Sequence, residues 1–289
     1  MSKFWKKSML VMLSGVLAFG SVIPALADSR DSAISLGADL TGAQKTKVYR
    51  LLGVTGSEAA SMKSVTVTNK EEKKYLGSYI SASKIGTRAL SSAIVSKDSS
   101  EHSITVKTKN ISYVTTGMYE NALATVGAKN IHVTVAGPTN ISGTAALLGV
   151  VKAYEKLSGK EVDEQVIDGA IDEMITTGKL EKSNGADSQK IEGMIADLKE
   201  KVAKDDDANI GSEIDKVAKQ YNISLTEDQK DQLKKMLEKL SKLDLDVSTL
   251  KQQANKVYEK LKDLGVKIDK EQAIGFFQRI INWLKGLFS

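Results

Sequence analysis

The stretch IHVTVAGPTNISGTAALLGVVKAYEKL, residues 131–157, decides the fold of the chain. Its first five residues alternate between apolar and polar side chains, which is typical of a half-buried β-strand. A loop with Pro138 follows, and helical spacing then extends from about Ser142 to Leu157. A strand, a short loop and a helix in this order form the unit from which layered α/β domains are built. The stretch therefore predicts a sheet with a helix packed on it.

The residues before this stretch mix strand and helix signals. Thr41 and Gln44 have the spacing of a capping box, which predicts a helix start. Residues 64–68 alternate as a strand does. Residues 89–96 and 102–109 flank a short polar turn and read as a β-hairpin. A helix over 118–126 completes the series. This order predicts a mixed sheet.

From Glu161 onward the strand signals stop and apolar residues keep helical spacing. The stripe from Leu233 to Leu240 and the stripe from Leu250 to Leu264 predict an antiparallel helical hairpin. The fold class is therefore α+β, an N-terminal α/β layer domain with a mixed sheet followed by an all-helical region and an amphipathic tail helix. The predicted divisions are residues 1–27, 28–158, 159–268 and 269–289.

The first 27 residues have the three parts of a secretory signal peptide. Lys3, Lys6 and Lys7 give a positive start, an apolar run follows, and Ala25-Leu26-Ala27 matches the small-x-small cleavage pattern. We predict cleavage after Ala27. The apolar run is shorter than the roughly 20 residues that a membrane span needs, which disfavours an uncleaved anchor.

Removing these three lysines from the formal charge of +5 leaves +2 on the mature chain. A nearly neutral chain lacks the strong positive field of a nucleic-acid-binding protein, so no nucleic-acid partner is predicted. The chain has no Cys, which excludes disulfides, thiol chemistry and a lipid anchor on Cys. Export without disulfides favours a Gram-positive bacterium.

The loop after the predicted strand at 131–135 is the candidate ligand-binding site. Free N–H groups at the start of the following helix favour an anion. The simpler interpretation is that Ser142 is the N-cap and the small residues allow close packing. The candidate residues are Thr139, Asn140, Ser142, Gly143 and Thr144.

Catalytic signals are weak. His102 and His132, the two histidines of the chain, both lie in strand patterns and read as surface or half-buried residues. Neither a G-x-S-x-G elbow nor an H-E-x-x-H pair occurs. The acidic run 205–207 lacks the Gly and Glu that a Ca²⁺-binding EF-hand loop requires, because Ile210 and Lys216 stand at those positions. We predict neither a metal site nor a cofactor.

The tail, IGFFQRIINWLKGLFS at 274–289, holds every Phe and the one Trp that remain after cleavage. On a helical wheel its apolar residues fill an arc of about 180°, wider than the roughly 100° stripe of an ordinary docked helix. Two interpretations stay open: docking into the core or self-association, and binding to a membrane surface or an envelope protein. The candidate contact residues are Phe276, Phe277, Ile280, Trp283, Leu284, Leu287 and Phe288.

Three stretches of the chain resemble the YpuA-like family of secreted Bacillus and Clostridium proteins, classed as a domain of unknown function. They are VTVTNKEEKKYLGSYIS (65–81), IGTRALSSAIV (85–95) and the run from NISYVTTGMYE to VVKAYE (110–155). The resemblance covers nearly the whole mature chain. It implies secretion and an envelope setting, and it supplies no activity, substrate or catalytic residue.

These observations together predict a secreted, envelope-associated binding protein without evident catalytic activity. In this hypothesis the α/β domain recognises a ligand and the tail attaches the protein. The alternative is a hydrolase acting on an envelope polymer, with its site near Asn140–Thr144. A pair of carboxylates in a deep cleft beside that loop would favour the hydrolase.

Overall fold

A computed structural model of the protein describes residues 31–100, 103–204 and 209–263. The predicted signal peptide, His102, the acidic run 205–207 and the tail helix lie outside the described residues. The element bounds given below all fall within them.

Five strands form one mixed sheet in the order β2-β1-β3-β5-β4. β1 pairs with β2, and β4 with β5, in parallel, whereas β3 is antiparallel to both of its neighbours. The predicted mixed sheet is therefore confirmed. The strands are β1 (Ser32–Gly37), β2 (Lys63–Val67), β3 (Ser92–Lys97), β4 (Ile104–Ile111) and β5 (Ile131–Ile141).

The predicted β-hairpin is wrong, because β5 lies between β3 and β4. Val133 and Val135 of β5 are fully buried, so this strand is best accommodated with neighbours on both sides. β4 instead exposes Lys107 and Lys109, and lysines are typical of an edge strand.

The sequence analysis differs from the structure at two further strands. It did not predict β1, which pairs with a strand on each side, because the six residues SAISLG are few and their small serines give only a weak strand signal. β5 also continues through Pro138, where a loop was predicted. β3 pairs with β5 only as far as Ala136, so Pro138 sits where β5 has one neighbouring strand and its missing N–H is tolerated.

Helices cover both faces of the sheet. On one face α1 packs over β3 and β5, around Val48 and Leu52. Its capping box at Thr41 and Gln44 is confirmed. On the other face α6 crosses β1, β2 and β3, while α5 packs on β4. The helices of this region are α1 (Gly42–Leu52), α2 (Gly56–Ser61), α3 (Asn69–Leu76), α4 (Ala82–Ile85), α5 (Thr116–Thr125) and α6 (Thr144–Ser158).

After Gly159, which ends α6 with a left-handed φ of 72°, the described residues form helices and no strands. The all-helical region is confirmed, but its hairpin is not. α11 packs along α8 and against α5, whereas α10 packs against α7 and α9. Apolar stripes identify a buried helix face and do not specify its partner. The helices are α7 (Glu164–Asn184), α8 (Ser188–Lys204), α9 (Ile210–Gln220), α10 (Glu227–Leu240) and α11 (Val247–Asp263).

The apolar core continues across the change in secondary structure at Gly159. Val133 of the sheet, Leu147 of α6, Ile171 of α7 and Leu237 of α10 belong to one buried cluster. α5 lies between the two regions, and every residue from Gly117 to Thr125 is buried. The helical region therefore holds in place the helices that pack on the sheet.

The closest approach of α6 to the sheet provides a test of this packing. The Ser35 hydroxyl of β1 is buried without a hydrogen bond among the described residues, and a Cβ added to Gly149 would lie 2.2 Å from it. We expect Gly149→Ala to lower the free energy of unfolding by about 1–3 kcal/mol through overpacking. Ser35→Ala should leave it unchanged or raise it by about 1 kcal/mol, because it removes an unsatisfied buried group.

Urea unfolding of the two single variants and of Ser35→Ala/Gly149→Ala measures the coupling. The double variant should recover part of the loss, since removal of Oγ opens space for the new methyl group. Strictly additive effects would contradict the close approach of these two residues.

Candidate functional site

The candidate site lies at one end of the strands, where the carboxyl ends of four strands and the start of the fifth lie side by side. β1, β2, β4 and β5 run in one direction, so their carboxyl ends meet at this edge together with the start of β3. Ligands of open α/β sheets bind outside the carboxyl ends of the strands. α3 begins just after β2, and α6 just after β5, so both helices start at this edge.

A cleft of about 280 Å³ opens at this edge. Hydroxyl groups are frequent in its lining, and two charged side chains, one acidic and one basic, belong to it. Its lining residues are Glu72, Ile85, Gly86, Thr87, Arg88, Leu90, Ser91, Ile141, Ser142, Thr144 and Ala145.

Glu72 is the buried charged residue of the cleft, with only 1% of its surface exposed. Its carboxyl group accepts hydrogen bonds from the Thr144 hydroxyl (3.1 Å) and from the Asn69 side-chain amide (3.4 Å). Burial raises the pKa of Glu72 to about 7, and these two hydrogen bonds oppose the shift. The negative charge of Asp39 raises this pKa further. Glu72 can therefore exchange a proton near neutral pH.

The start of α6 differs from the prediction. Gly143, and not Ser142, is the N-cap, and its φ of 93° lies in the left-handed region that favours glycine. The Gly143 carbonyl accepts a hydrogen bond from the buried Tyr119 hydroxyl (2.6 Å). Ser142 lies between the end of β5 and the start of α6. Its hydroxyl group forms a hydrogen bond with that of Thr144 (3.1 Å). The glycine conformation thus brings the Thr144 hydroxyl to Glu72.

One N–H group in the first turn of α6 already has polar partners. The Ala146 N–H donates to the Ser91 hydroxyl (2.8 Å) and to the Gly143 carbonyl (3.1 Å). The Thr144 hydroxyl faces the Glu72 carboxyl group. A carboxylate beside this helix start repels an incoming anion, so the geometry does not favour the anion-binding interpretation of the loop.

The structure brings together some of the predicted site residues and leaves others apart. Ser142 and Thr144 line the cleft, and Gly143 orients them. Thr139 and Asn140 are exposed on the extension of β5 and are not part of the lining. His132 is half-buried on β5, as predicted, and burial lowers its pKa.

Sequence reasoning missed Glu72, Arg88 and Ser91. For Glu72 a signal existed. The capping box at Thr68 and Glu71 fixes the start of α3, and Glu72 then lies four residues before Leu76, on the same helix face. A carboxylate on the buried face of a short helix is a reason to suspect a site. No local pattern marks Arg88 or Ser91, which reach the cleft through the fold.

A larger cavity, of about 520 Å³, lies between α9 and α10. Its charged side chains are partly paired, since Lys230 Nζ lies 2.9 Å from Asp215 Oδ1. Both of these side chains are in contact with solvent, and no buried charge lines the cavity. We therefore place the candidate site at the Glu72 cleft.

The described part of the chain has neither a membrane-spanning helix nor a metal-binding cluster. No helix there has the length and apolar character to cross a membrane. No group of three His, Asp or Glu side chains there has an arrangement that suits a metal ion.

Comparison with known proteins identifies the family. The family described as "Protein of unknown function (DUF1002)" matches residues 36–257. The uncharacterized protein YpuA of Bacillus subtilis (strain 168) is 36% identical over 293 residues, covering 100% of this chain and 98% of its own. No solved structure matches. The resemblance to YpuA-like proteins is confirmed, and the chain belongs to the DUF1002 family of proteins of unknown function.

Proposed function

We propose that the protein is a secreted, cell-envelope-associated binding protein whose ligand occupies the Glu72 cleft. The observation that carries this proposal is the cleft itself, in which several hydroxyl groups and one buried carboxyl group form the lining, at the carboxyl ends of the strands. Such a combination of a concave surface with a few convergent polar groups is typical of small-molecule sites.

Export and attachment are supported by the two ends of the sequence. The positive start, the apolar run and Ala25-Leu26-Ala27 support cleavage after Ala27. The aromatic arc of 274–289 supports attachment to a membrane surface or to an envelope protein. In this proposal the tail holds the protein at the envelope, and the cleft faces the medium in which the ligand is found.

One observation favours the envelope-polymer hydrolase as a second candidate. A carboxyl group with a pKa of about 7 is suited to general acid or base catalysis, and Glu72 provides one inside a cleft. Glycoside hydrolysis uses two carboxylates. The neighbouring Asp39 is exposed, accepts the Ala89 N–H (2.7 Å) and does not line the cleft. A single lining carboxyl group favours binding. Release of soluble fragments from purified cell walls, abolished by Glu72→Gln, would instead favour the hydrolase.

Fractionation of a Gram-positive host that expresses the full chain tests export and attachment together. We expect the exported protein to begin at Asp28 and to sediment with the envelope. Phe277→Glu should move most of it to the medium, because a charge would enter the apolar arc of the tail. Gln278→Glu is the matched control, since it adds the same charge to the polar arc.

Two outcomes contradict the proposal. Recovery of the protein only with an intact N-terminus starting at Met1 would overturn export. Equal envelope retention of Phe277→Glu and Gln278→Glu would show that the tail does not attach the protein.

A further inference from the structure

Glu72 has no cationic partner among the described residues, although it is almost completely buried. Its hydrogen-bond donors, Thr144 and Asn69, are neutral. Two of the other buried glutamates are paired with lysines: Glu173 lies 2.7 Å from Lys199 Nζ, and Glu120 lies 3.1 Å from Lys256 Nζ. The buried Glu192 instead accepts a hydrogen bond from the Thr115 hydroxyl. Buried carboxylates are normally paired with a cation. No described cationic side chain forms an ion pair with Glu72, and Glu72 lines an open cleft.

The charges around Glu72 favour a cation in the cleft. Asp39 adds a second negative charge close enough to act on Glu72. The adjacent Lys73, whose side chain is exposed, has an opposite effect that is smaller than that of Asp39. Arg88 lines the exposed part of the cleft and disfavours a second cationic group on the same ligand. The charges around the cleft therefore favour a ligand with a single positive charge, placed at the inner end of the cleft next to Glu72.

We propose that the cleft binds a small polar ligand through a protonated primary amine, with the ammonium group against Glu72 and neighbouring hydroxyl groups of the ligand at Ser142 and Thr144. This inference rests on the proposed function, because it assigns a chemical class to the ligand of the same cleft. The three N–H donors of an ammonium group match the carboxyl oxygens and the hydroxyl oxygens that converge there.

Binding of an ammonium group at Glu72 is linked to a proton. The pKa of Glu72 is about 7, so part of the population is protonated at neutral pH and must release its proton to form the ion pair. An alkyl amine with a pKa near 10 stays charged over this range. The apparent affinity should therefore fall about tenfold when the pH is lowered from 8 to 6.

Three probes of matched shape test the ligand class on the full chain. They are trans-2-aminocyclohexanol, trans-1,2-cyclohexanediol and trans-2-hydroxycyclohexanecarboxylate, which carry one positive charge, none and one negative charge. Titrations followed by the methyl signals of Ile85 and Ile141, which line the cleft, give the three dissociation constants. We expect the amine to bind at least tenfold more tightly than the diol at pH 8.

Variants of one residue type provide the control. Glu72→Gln keeps the shape of the side chain and should remove the preference for the amine together with its pH dependence. Glu238→Gln, on the exposed face of α10, should change neither. Loss of preference in both variants would contradict a local role of Glu72.

The outcomes separate this inference from the proposed function. Equal binding of amine and diol, unaffected by Glu72→Gln, would overturn the ligand class and leave the binding cleft in place. Tightest binding of the carboxylate would replace it with an anion site at the start of α6. Absence of any shift at Ile85 and Ile141 with all three probes would overturn the binding cleft and the ligand class together.

Discussion

Lys199→Met should destabilise the protein by about 3–5 kcal/mol at pH 7, because it leaves the buried Glu173 carboxylate without its cation. Lys199 and Glu173 are both almost completely inaccessible to solvent, and Lys199 Nζ lies 2.7 Å from Glu173 Oε1. Lys199 also donates to the Asn121 carbonyl (2.7 Å) and to the Thr125 hydroxyl (3.0 Å). The Thr125 hydroxyl in turn donates to Glu173.

This network joins one helix of the α/β region to two helices of the all-helical region. Asn121 and Thr125 lie on α5 beside the sheet, Glu173 on α7 and Lys199 on α8. Breaking a buried ion pair from one side costs far more than replacing both partners, since the remaining charge stays buried. The effect should therefore depend on Glu173 and not on the lost methylene packing of lysine, which methionine largely preserves.

Urea unfolding at pH 7 provides the measurement. Lys234→Met, on the exposed side of α10 with its nearest carboxylate Glu238 3.9 Å away, is the control and should change the stability by less than about 0.5 kcal/mol. Lys199→Met/Glu173→Leu should regain much of the loss. A cost below about 1 kcal/mol for Lys199→Met alone would show that the ion pair is not a critical link between these helices.

Local signals in the sequence predicted individual elements well. The capping box at Thr41 and Gln44 starts α1 as expected. The buried residues of α10 include Leu233, Leu237 and Leu240 of the predicted apolar stripe. The strand at 131 and the helix that follows it also form as predicted. These features depend on side-chain spacing and on hydrogen bonds between residues three or four positions apart, which a sequence displays directly.

Relations between distant elements were not predictable in the same way. The insertion of β5 between β3 and β4 depends on which strand buries both faces, and the α11–α8 pairing depends on the shape of the whole core. The candidate site also depends on contacts between residues that are far apart in the sequence. Thr144 was identified from its helix start, but its partner Glu72 lies 72 positions away and comes into contact only through the fold.

The stability of the protein should decrease as the pH rises from about 4.5 to 8, and Glu72→Gln should remove much of this decrease. The pKa of Glu72 is raised from 4.5 to about 7, so the folded protein binds the proton more tightly than the unfolded chain. Stabilisation by this proton is complete below the unfolded pKa and is lost as the pH passes the folded pKa. A shift of this size corresponds to at most about 3 kcal/mol, at 1.36 kcal/mol per pH unit.

Glu181 adds to the same trend, because burial and the charge of Glu192 raise its pKa to about 7 as well. Glu72→Gln should therefore flatten the pH profile without abolishing it. In urea unfolding at pH 4, 5, 6, 7 and 8, the variant should match the wild type at pH 4 and exceed its stability increasingly up to pH 8. Glu238→Gln, which alters an exposed carboxylate, should follow the wild-type profile.

The opposite result would carry a specific meaning. If Glu72→Gln is less stable than the wild type at pH 8, the ionised carboxylate makes favourable interactions that outweigh its burial. Glu72 would then already be neutralised within the protein, for example by Arg88 turning inward from the edge of the cleft. The cleft would in that case lack the uncompensated negative charge on which recognition of an amine depends.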